Sequence, residues 1–247
     1  LLFDAPGIGR FAIEICEDGW KGIRPGSFYA LAGAHIILNP SASWFTMGKH
    51  AVRRRMVEQI SREDHCAYVY TSLLGCDATR LVFDGSVFIA QDGSILEEGR
   101  RFRFNADWEI VDRVLDIGSL EQVRRAEGSW RQQVEAMQRG NYGNEPTLIP
   151  IHGDFSCRSV IPAPPPYWHS PHSNTPDPSL TWLAEEGLIA HFGASDLSYL
   201  ELELALALAL REYIKKCGIS GFTLALSGGR DSAMVAILVA RMFRYDQ

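Results

Sequence analysis

No apolar run in the chain is long enough to cross a bilayer as a helix; the richest, Leu200 to Leu210, carries Glu201 and Glu203 inside it. There is no block or stripe of Lys and Arg, and a net charge of −6 offers nucleic-acid phosphates little to hold. The five cysteines include no C-x-x-C pair, which removes the usual zinc and redox spacings and fits a reducing, cytoplasmic compartment better than a disulfide framework. An initiating Met and a signal peptide are both missing, and the last residues, Arg244 to Gln247, stop where a helix would be finishing, so we expect a piece of something longer. What is present, 46% hydrophobic and 22% charged residues in a chain of 247, suits a globular protein with material for one large domain or two smaller ones.

Two familiar phosphate-binding patterns are absent as well. A Walker loop needs Lys-Ser/Thr after glycines spaced four apart, and a dinucleotide fingerprint needs three glycines; Gly7-Ile8-Gly9 has only two. The chain carries instead Ser227-Gly228-Gly229-Arg230-Asp231-Ser232, directly after the apolar run Phe222 to Leu226 and before the helix-forming run Ala233 to Phe243. A strand feeding a tight Gly-Gly turn and then a helix points backbone N–H groups at one spot, where a phosphate can sit. The competing reading is an ordinary Ser/Gly turn with a helix N-cap at Asp231 or Ser232.

Upstream, the composition changes between Asn141 and Thr181, where prolines from Pro146 to Pro178 alternate with Ser, His and Asn. Proline fixes φ and removes donors, so the stretch reads as an extended connector. We place the boundaries at residues 1–140, 141–190 and 191–247. His169, His172 and Cys157 in the connector match no standard metal spacing. After it, Ser198-Tyr199-Leu200-Glu201 is a capping-box pattern opening a helix that runs to Lys216.

In the first region, Arg10 to Ile15 has a strand pattern and ends at Cys16-Glu17-Asp18-Gly19-Trp20. A cysteine at a strand's end, before a polar turn, gains exposure and nearby backbone N–H groups on a rigid mount, as a nucleophile requires. Taken alone, it could equally be a buried thiol that packs. Further strands are expected at Ala34 to Leu38, Ala67 to Leu74, Leu81 to Ala90 and Ile110 to Ile117, and helices at Ser27 to Ala32 and Met47 to Asp64; Gln91-Asp92-Gly93-Ser94 is a hairpin turn. The run Arg53-Arg54-Arg55 reads as a solvated or interface face, and the other four cysteines as structural.

Two resemblances follow. Ser-Gly-Gly-x-Asp-Ser resembles the loop of the PP-loop ATP pyrophosphatases, and Glu14-Ile15-Cys16-Glu17-Asp18-Gly19-Trp20 with Asn39-Pro40-Ser41-Ala42-Ser43 resembles the second half of a nitrilase-type amidase domain around its nucleophile. Joined in this order, they resemble the glutamine-dependent NAD synthetases over nearly the whole chain. That implies an α/β architecture: a nitrilase-like αββα sandwich without its N-terminal part, then the start of a doubly wound PP-loop domain without its C-terminal part. It implies Cys16 as the nucleophile that frees ammonia from glutamine, with the Glu17 N–H facing the oxyanion and Glu17, Ser43 and Lys49 binding glutamine. It implies ATP held by Ser227, Gly228, Gly229, Asp231 and Ser232, with Mg²⁺ at Asp231, for adenylation of deamido-NAD and its amidation. The partners implied are small molecules and further copies of the same chain, with no nucleic acid and no membrane.

The rivals are another PP-loop amidotransferase and a catalytically dead nitrilase-like module used for assembly. The GMP synthetases differ in having a Gly-rich elbow around their cysteine, which is lacking here. The nitrilase triad also needs a Glu and a Lys upstream of the cysteine, and only fifteen residues precede Cys16. A thiol without its base and its oxyanion stabiliser loses orders of magnitude in rate. We therefore predict that this chain alone releases no more ammonia from glutamine than its Cys16→Ala variant in a coupled ammonia assay.

Overall fold

The computed structural model describes residues 1–141, 146–153, 177–189, 193 and 195–246. Alternating apolar residues build one mixed sheet. Strands β1 (Leu2–Ala5) and β2 (Gly9–Ile13) form a hairpin; β3 (Ile36–Ser41) and β4 (Ala67–Ser72) continue parallel to β2; β7 (Val87–Gln91) and β8 (Ser94–Glu98) close one edge antiparallel, and β9 (Leu148–Pro150) pairs with β1 at the other, giving the order β8-β7-β4-β3-β2-β1-β9. A separate antiparallel pair joins β5 (Leu74–Cys76) to β6 (Val82–Asp84). As expected, β7 and β8 meet at Asp92 and Gly93, whose φ values of 46° and 87° make the primed turn that suits a two-residue hairpin.

Parallel neighbours need crossover helices, and successive right-handed crossovers in one direction put them on one face. Helix α1 (Pro25–Leu31), with Pro25 in its first turn, packs on β2 and β3; α2 (Lys49–Glu63) packs on β4, β7 and β8. The core between helices and sheet contains Ile37, Val57, Tyr68, Tyr70 and Phe88, all fully buried. Behind it, α3 (Ile117–Ala126), capped by the Asp116 side chain on Ser119 N–H at 2.9 Å, and α4 (Gly128–Gln138) pack on each other.

Several segments depart from expectation. Leu81 to Ala90 is two strands rather than one, because Gly85 adopts φ +73° and turns the chain between β6 and β7. Ile110 to Ile117 is not a strand: residues 107–111 line a groove of about 400 Å³ together with residues of β4 and β7, and Trp108 and Ile110 stay largely exposed rather than pairing at the sheet's edge. Phe222 to Leu226 forms no strand, since a buried parallel strand exists only with neighbours and the described residues supply none there.

A second core forms around α6 (Leu197–Cys217), which starts one residue before the expected Ser198 cap and without a side-chain cap, because Glu201 turns inward to Gly48 and Arg101 instead of back to the helix start. It also buries Leu204, Ala205, Leu208 and Glu212 at helical spacing and ends at Gly218 with φ +64°. It packs with α7 (Arg230–Tyr245), with Phe102 and Phe104, and with Leu180, Trp182 and Leu183. The last three come from the end of the proline-rich stretch, where a 3₁₀ turn, Pro178–Leu180, leads into α5 (Thr181–Glu185). This part of the stretch is thus folded and buried rather than an extended connector; His169, His172 and Cys157 lie outside the described residues.

Between the two cores runs a chain of buried charges. Arg53 is fully buried, which corrects the solvated reading at that position; Arg54, bridging Glu58 and Glu98, is partly exposed and Arg55 is exposed, as expected of a solvated face. Arg53 Nη1 donates to both Asp84 oxygens at 2.8 Å, and Arg101, also fully buried, reaches Asp84 at 3.3 Å, Glu201 at 2.9 Å and, more closely still, Asp177. Burial alone would raise the Asp84 and Asp177 carboxyls; Arg53, Arg101 and His50 beside Asp84, and Arg101 and His50 beside Asp177, hold both below the ordinary value. His50, Glu98 and Asp177 bring ligand-type atoms within 4.8 Å of one another, but His50 Nε2 already shares a 2.6 Å hydrogen bond with Glu98 and Asp177 is paired with Arg101. The group is an ion-pair network rather than a cation site.

Removing one partner of a buried pair strands the other. Arg101→Met is expected to lower the stability of this chain by about 3–5 kcal/mol in urea unfolding. Because both carboxyls titrate lower when folded, their contribution is full at neutral pH and is lost as pH falls below the ordinary carboxylate value of about 4 through the depressed folded values. The unfolding midpoint should drop over that window, and Asp84→Asn should flatten the drop.

Candidate active site

Strand β2 delivers the chain to Cys16, which opens a 3₁₀ turn, Cys16–Trp20. Cys16 has φ 49°, a left-handed conformation that side-chain-bearing residues adopt only where their surroundings impose it. Those surroundings are visible. Asn39, on β3, donates from Nδ2 to Cys16 O at 3.4 Å, and the Asp18 carboxylate accepts the Ile15 N–H at 3.1 Å. Beneath the turn lies the buried carboxylate of Glu14, which accepts from the Tyr68 hydroxyl at 2.6 Å, from Gly26 N–H at 2.9 Å and from Arg24 at 3.4 Å; Arg24 reaches on to Asp64 at 2.7 Å. Burial and the Glu14 charge drive the Tyr68 phenol well above its ordinary range, so it remains a donor.

Glu14, Asn39, Tyr68 and Arg24 were not among the expected site residues. One signal for Glu14 was available: it follows Ala12 at period two, a charged residue at an inward position of a strand. The turn leaves no room for a side chain at Gly19, where a methyl group would meet the Tyr68 hydroxyl at 2.8 Å and Asn39 Nδ2 at 2.9 Å.

The candidate glutamine residues divide. Ser43 and Lys49 share one loop: Ser43 is buried, and its Oγ accepts from Arg53 Nε and Nη2 at 3.3 Å. Lys49 Nζ lies 4.4 Å from the centre of the Trp44 ring and donates to Trp44 O at 3.1 Å. Its ammonium is lowered, first by burial and then by the Arg53 charge. Glu17, by contrast, turns its side chain to solvent and pairs with Lys21. Its N–H sits in the first turn of the 3₁₀ segment, where such groups lack internal partners. Of the remaining cysteines, Cys66 and Cys76 are buried, Cys217 is exposed, and Cys157 lies outside the described residues.

The phosphate-loop candidates sit together at the start of α7. Gly228 has φ +81° and Gly229 is the N-cap. Ser227 Oγ accepts from Gly229 N–H at 3.4 Å and lies 3.2 Å from Ser232 Oγ, which donates to Gly229 O at 3.1 Å. The first intrahelical bond is Ala233 N–H to Gly229 O, so the helix start carries orphan donors and the positive end of its dipole. Ser227 to Asp231 are exposed, and the hydroxyls and the Asp231 carboxylate are hard oxygen donors of the kind Mg²⁺ takes.

A mixed α/β protein with a strand-end cysteine in one region and a serine-glycine loop at a helix start in another is the class these features define. The NAD synthase family model matches residues 203–247. A glutamine-dependent NAD(+) synthetase of Drosophila melanogaster is 30% identical over 94% of the chain, which spans only 26% of that relative's length. The glutamine-dependent NAD(+) synthetase of Cytophaga hutchinsonii superposes with a TM-score of 0.57 at 26% identity, covering 98% of this chain and 26% of its own. That of Acinetobacter baumannii, solved with ADP, gives 0.59 at 18% identity over 98% of this chain and 32% of its own, and shares the fold. The chain resembles glutamine-dependent NAD synthetases along nearly its entire length, as its motifs led us to expect.

The packing beneath the Cys16 turn can be tested by itself. Gly19→Ala should destabilise this chain by about 1–3 kcal/mol, the usual cost of overpacking. An unchanged urea midpoint would contradict the close fit under Cys16.

Proposed function

We propose that this chain is part of a glutamine-dependent NAD synthetase, with residues 1–140 contributing to the glutaminase domain and residues 191–247 to the ATP-dependent one. The observation that carries the reading is the strained, buttressed Cys16 at the end of β2, in the same chain as the Ser227–Ser232 loop at the start of α7. The Cys16 sulfur attacks the side-chain amide carbon of glutamine, the C–N bond breaks to release ammonia, and water hydrolyses the glutamyl thioester. Lys49 and Ser43 border the amino-acid end of the substrate, and the Glu17 N–H stabilises the oxyanion.

In the second region the nicotinate carboxylate of deamido-NAD attacks the α-phosphorus of ATP, and ammonia then displaces AMP to form the amide. The Ser227 and Ser232 hydroxyls and the N–H groups at the start of α7 hold the departing pyrophosphate, and Gly228 and Gly229 let the backbone come close. Asp231 would hold Mg²⁺, which when bound neutralises phosphate charge.

The test is made on the full-length protein. Cys16→Ala should abolish NAD formation from glutamine while leaving NAD formation from ammonium salts within about twofold, since only the nitrogen source is lost. Ser232→Ala should weaken equilibrium binding of Mg-ATP about tenfold, as loss of a hydrogen bond to a charged group does. Glutamine-supported turnover surviving in the cysteine variant would overturn the assignment of Cys16.

A further inference from the structure

The loop carrying Ser43 and Lys49 is held at both ends by the buried charge network. At one end, Arg53 Nη2 donates to Ser43 O at 2.7 Å and to Trp44 O at 3.0 Å. At the other, Gly48 N–H donates at 3.0 Å to Oε2 of Glu201, a residue 153 positions later on α6. Gly48, at φ +74°, is the N-cap of α2 and has no side chain to cap it, and Lys49 is the first residue of that helix. A carboxylate from a different helix therefore accepts the N–H of the N-cap residue itself, the part an N3 Glu plays in a capping box, at the positive end of α2. Glu201 is 2% exposed, and its other oxygen is fixed by Arg101 at 2.9 Å, which through Asp84 leads back to Arg53. The loop, the arginines and α6 close into one ring of buried contacts.

We propose that Glu201 is a positioning residue for glutamine use: by holding Gly48 it sets the start of α2 and hence the placement of Lys49 and Ser43, without itself touching substrate. This rests on the reading of Ser43 and Lys49 as glutamine-site residues. It follows that α6, the helix leading into the phosphate-loop region, sets the geometry of a loop that belongs to the cysteine site.

The experiment compares Glu201→Gln, which removes the charge at constant size, with Glu201→Asp, which keeps the charge beside Arg101 but withdraws the oxygen from Gly48, both in the full-length protein. KM for glutamine is expected to rise about tenfold in either folded variant, as expected for loss of a charge-assisted hydrogen bond, while ammonia-supported turnover stays within about twofold. Hydrogen exchange of the 43–49 backbone amides should also become faster. A folded variant with wild-type KM for glutamine, or one whose ammonia-supported turnover falls in step with it, overturns the proposal. If the wild-type protein does not turn over glutamine at all, the functional reading fails, and exchange still decides the positioning claim: unchanged protection at 43–49 overturns it.

Discussion

The rest of the structure depends on the pairing of Arg53 and Arg101 with Asp84, Asp177 and Glu201. A guanidinium with no solvent exposure persists only if its charge is matched and its donors are met, so each of these residues constrains the backbone that presents its partner. Asp84 must leave the end of β6, which explains why Gly85 turns the chain there. Asp177 and Ser179 must reach Arg101, which folds the end of the proline-rich stretch over the second core; Trp182 completes the arrangement by donating from Nε1 to Arg101 O at 3.1 Å. Glu201 must face inward from α6. One network thereby fixes the junction between the sheet with its helices and the core around α6.

The two candidate sites contrast physically. The cysteine turn is supported from below by a buried carboxylate, a phenol, an amide and a guanidinium, and its strain is maintained by that packing. The serine-glycine loop is exposed, and the hydrogen bonds of its hydroxyls are local, within Ser227 to Ser232. The phosphate binding proposed for it would rest on backbone geometry and the start of α7, which need only a few neighbouring residues. A nucleophile's capacity comes from its surroundings, and those are gathered from across the sheet.

That difference explains what could be read in advance. The serine-glycine loop, the helix that follows it, the primed turn at Asp92-Gly93 and the helix end at Gly218 are local: propensity and glycine conformation act within a few residues, so spacing alone predicts them. The unpaired run Phe222 to Leu226 and the segment after Ile110 differ from expectation for the converse reason. Apolar patterning says that a segment prefers burial or pairing, but not whether a partner is at hand.

The sequence by itself pointed to the class of protein, through the resemblance its motifs carry, and to Cys16 and the Ser227–Ser232 loop as candidate sites, because residue type and spacing are local signals. It could not reveal that Arg53 is buried, that Glu14 lies under the Cys16 turn, or that Glu201 holds the N-cap residue of a helix, 153 positions earlier in the chain. These are pairings between charges distant in sequence, and a charged side chain looks the same in a string of letters whether water or a partner satisfies it. Only the tertiary structure decides which, by bringing the partner and excluding the water.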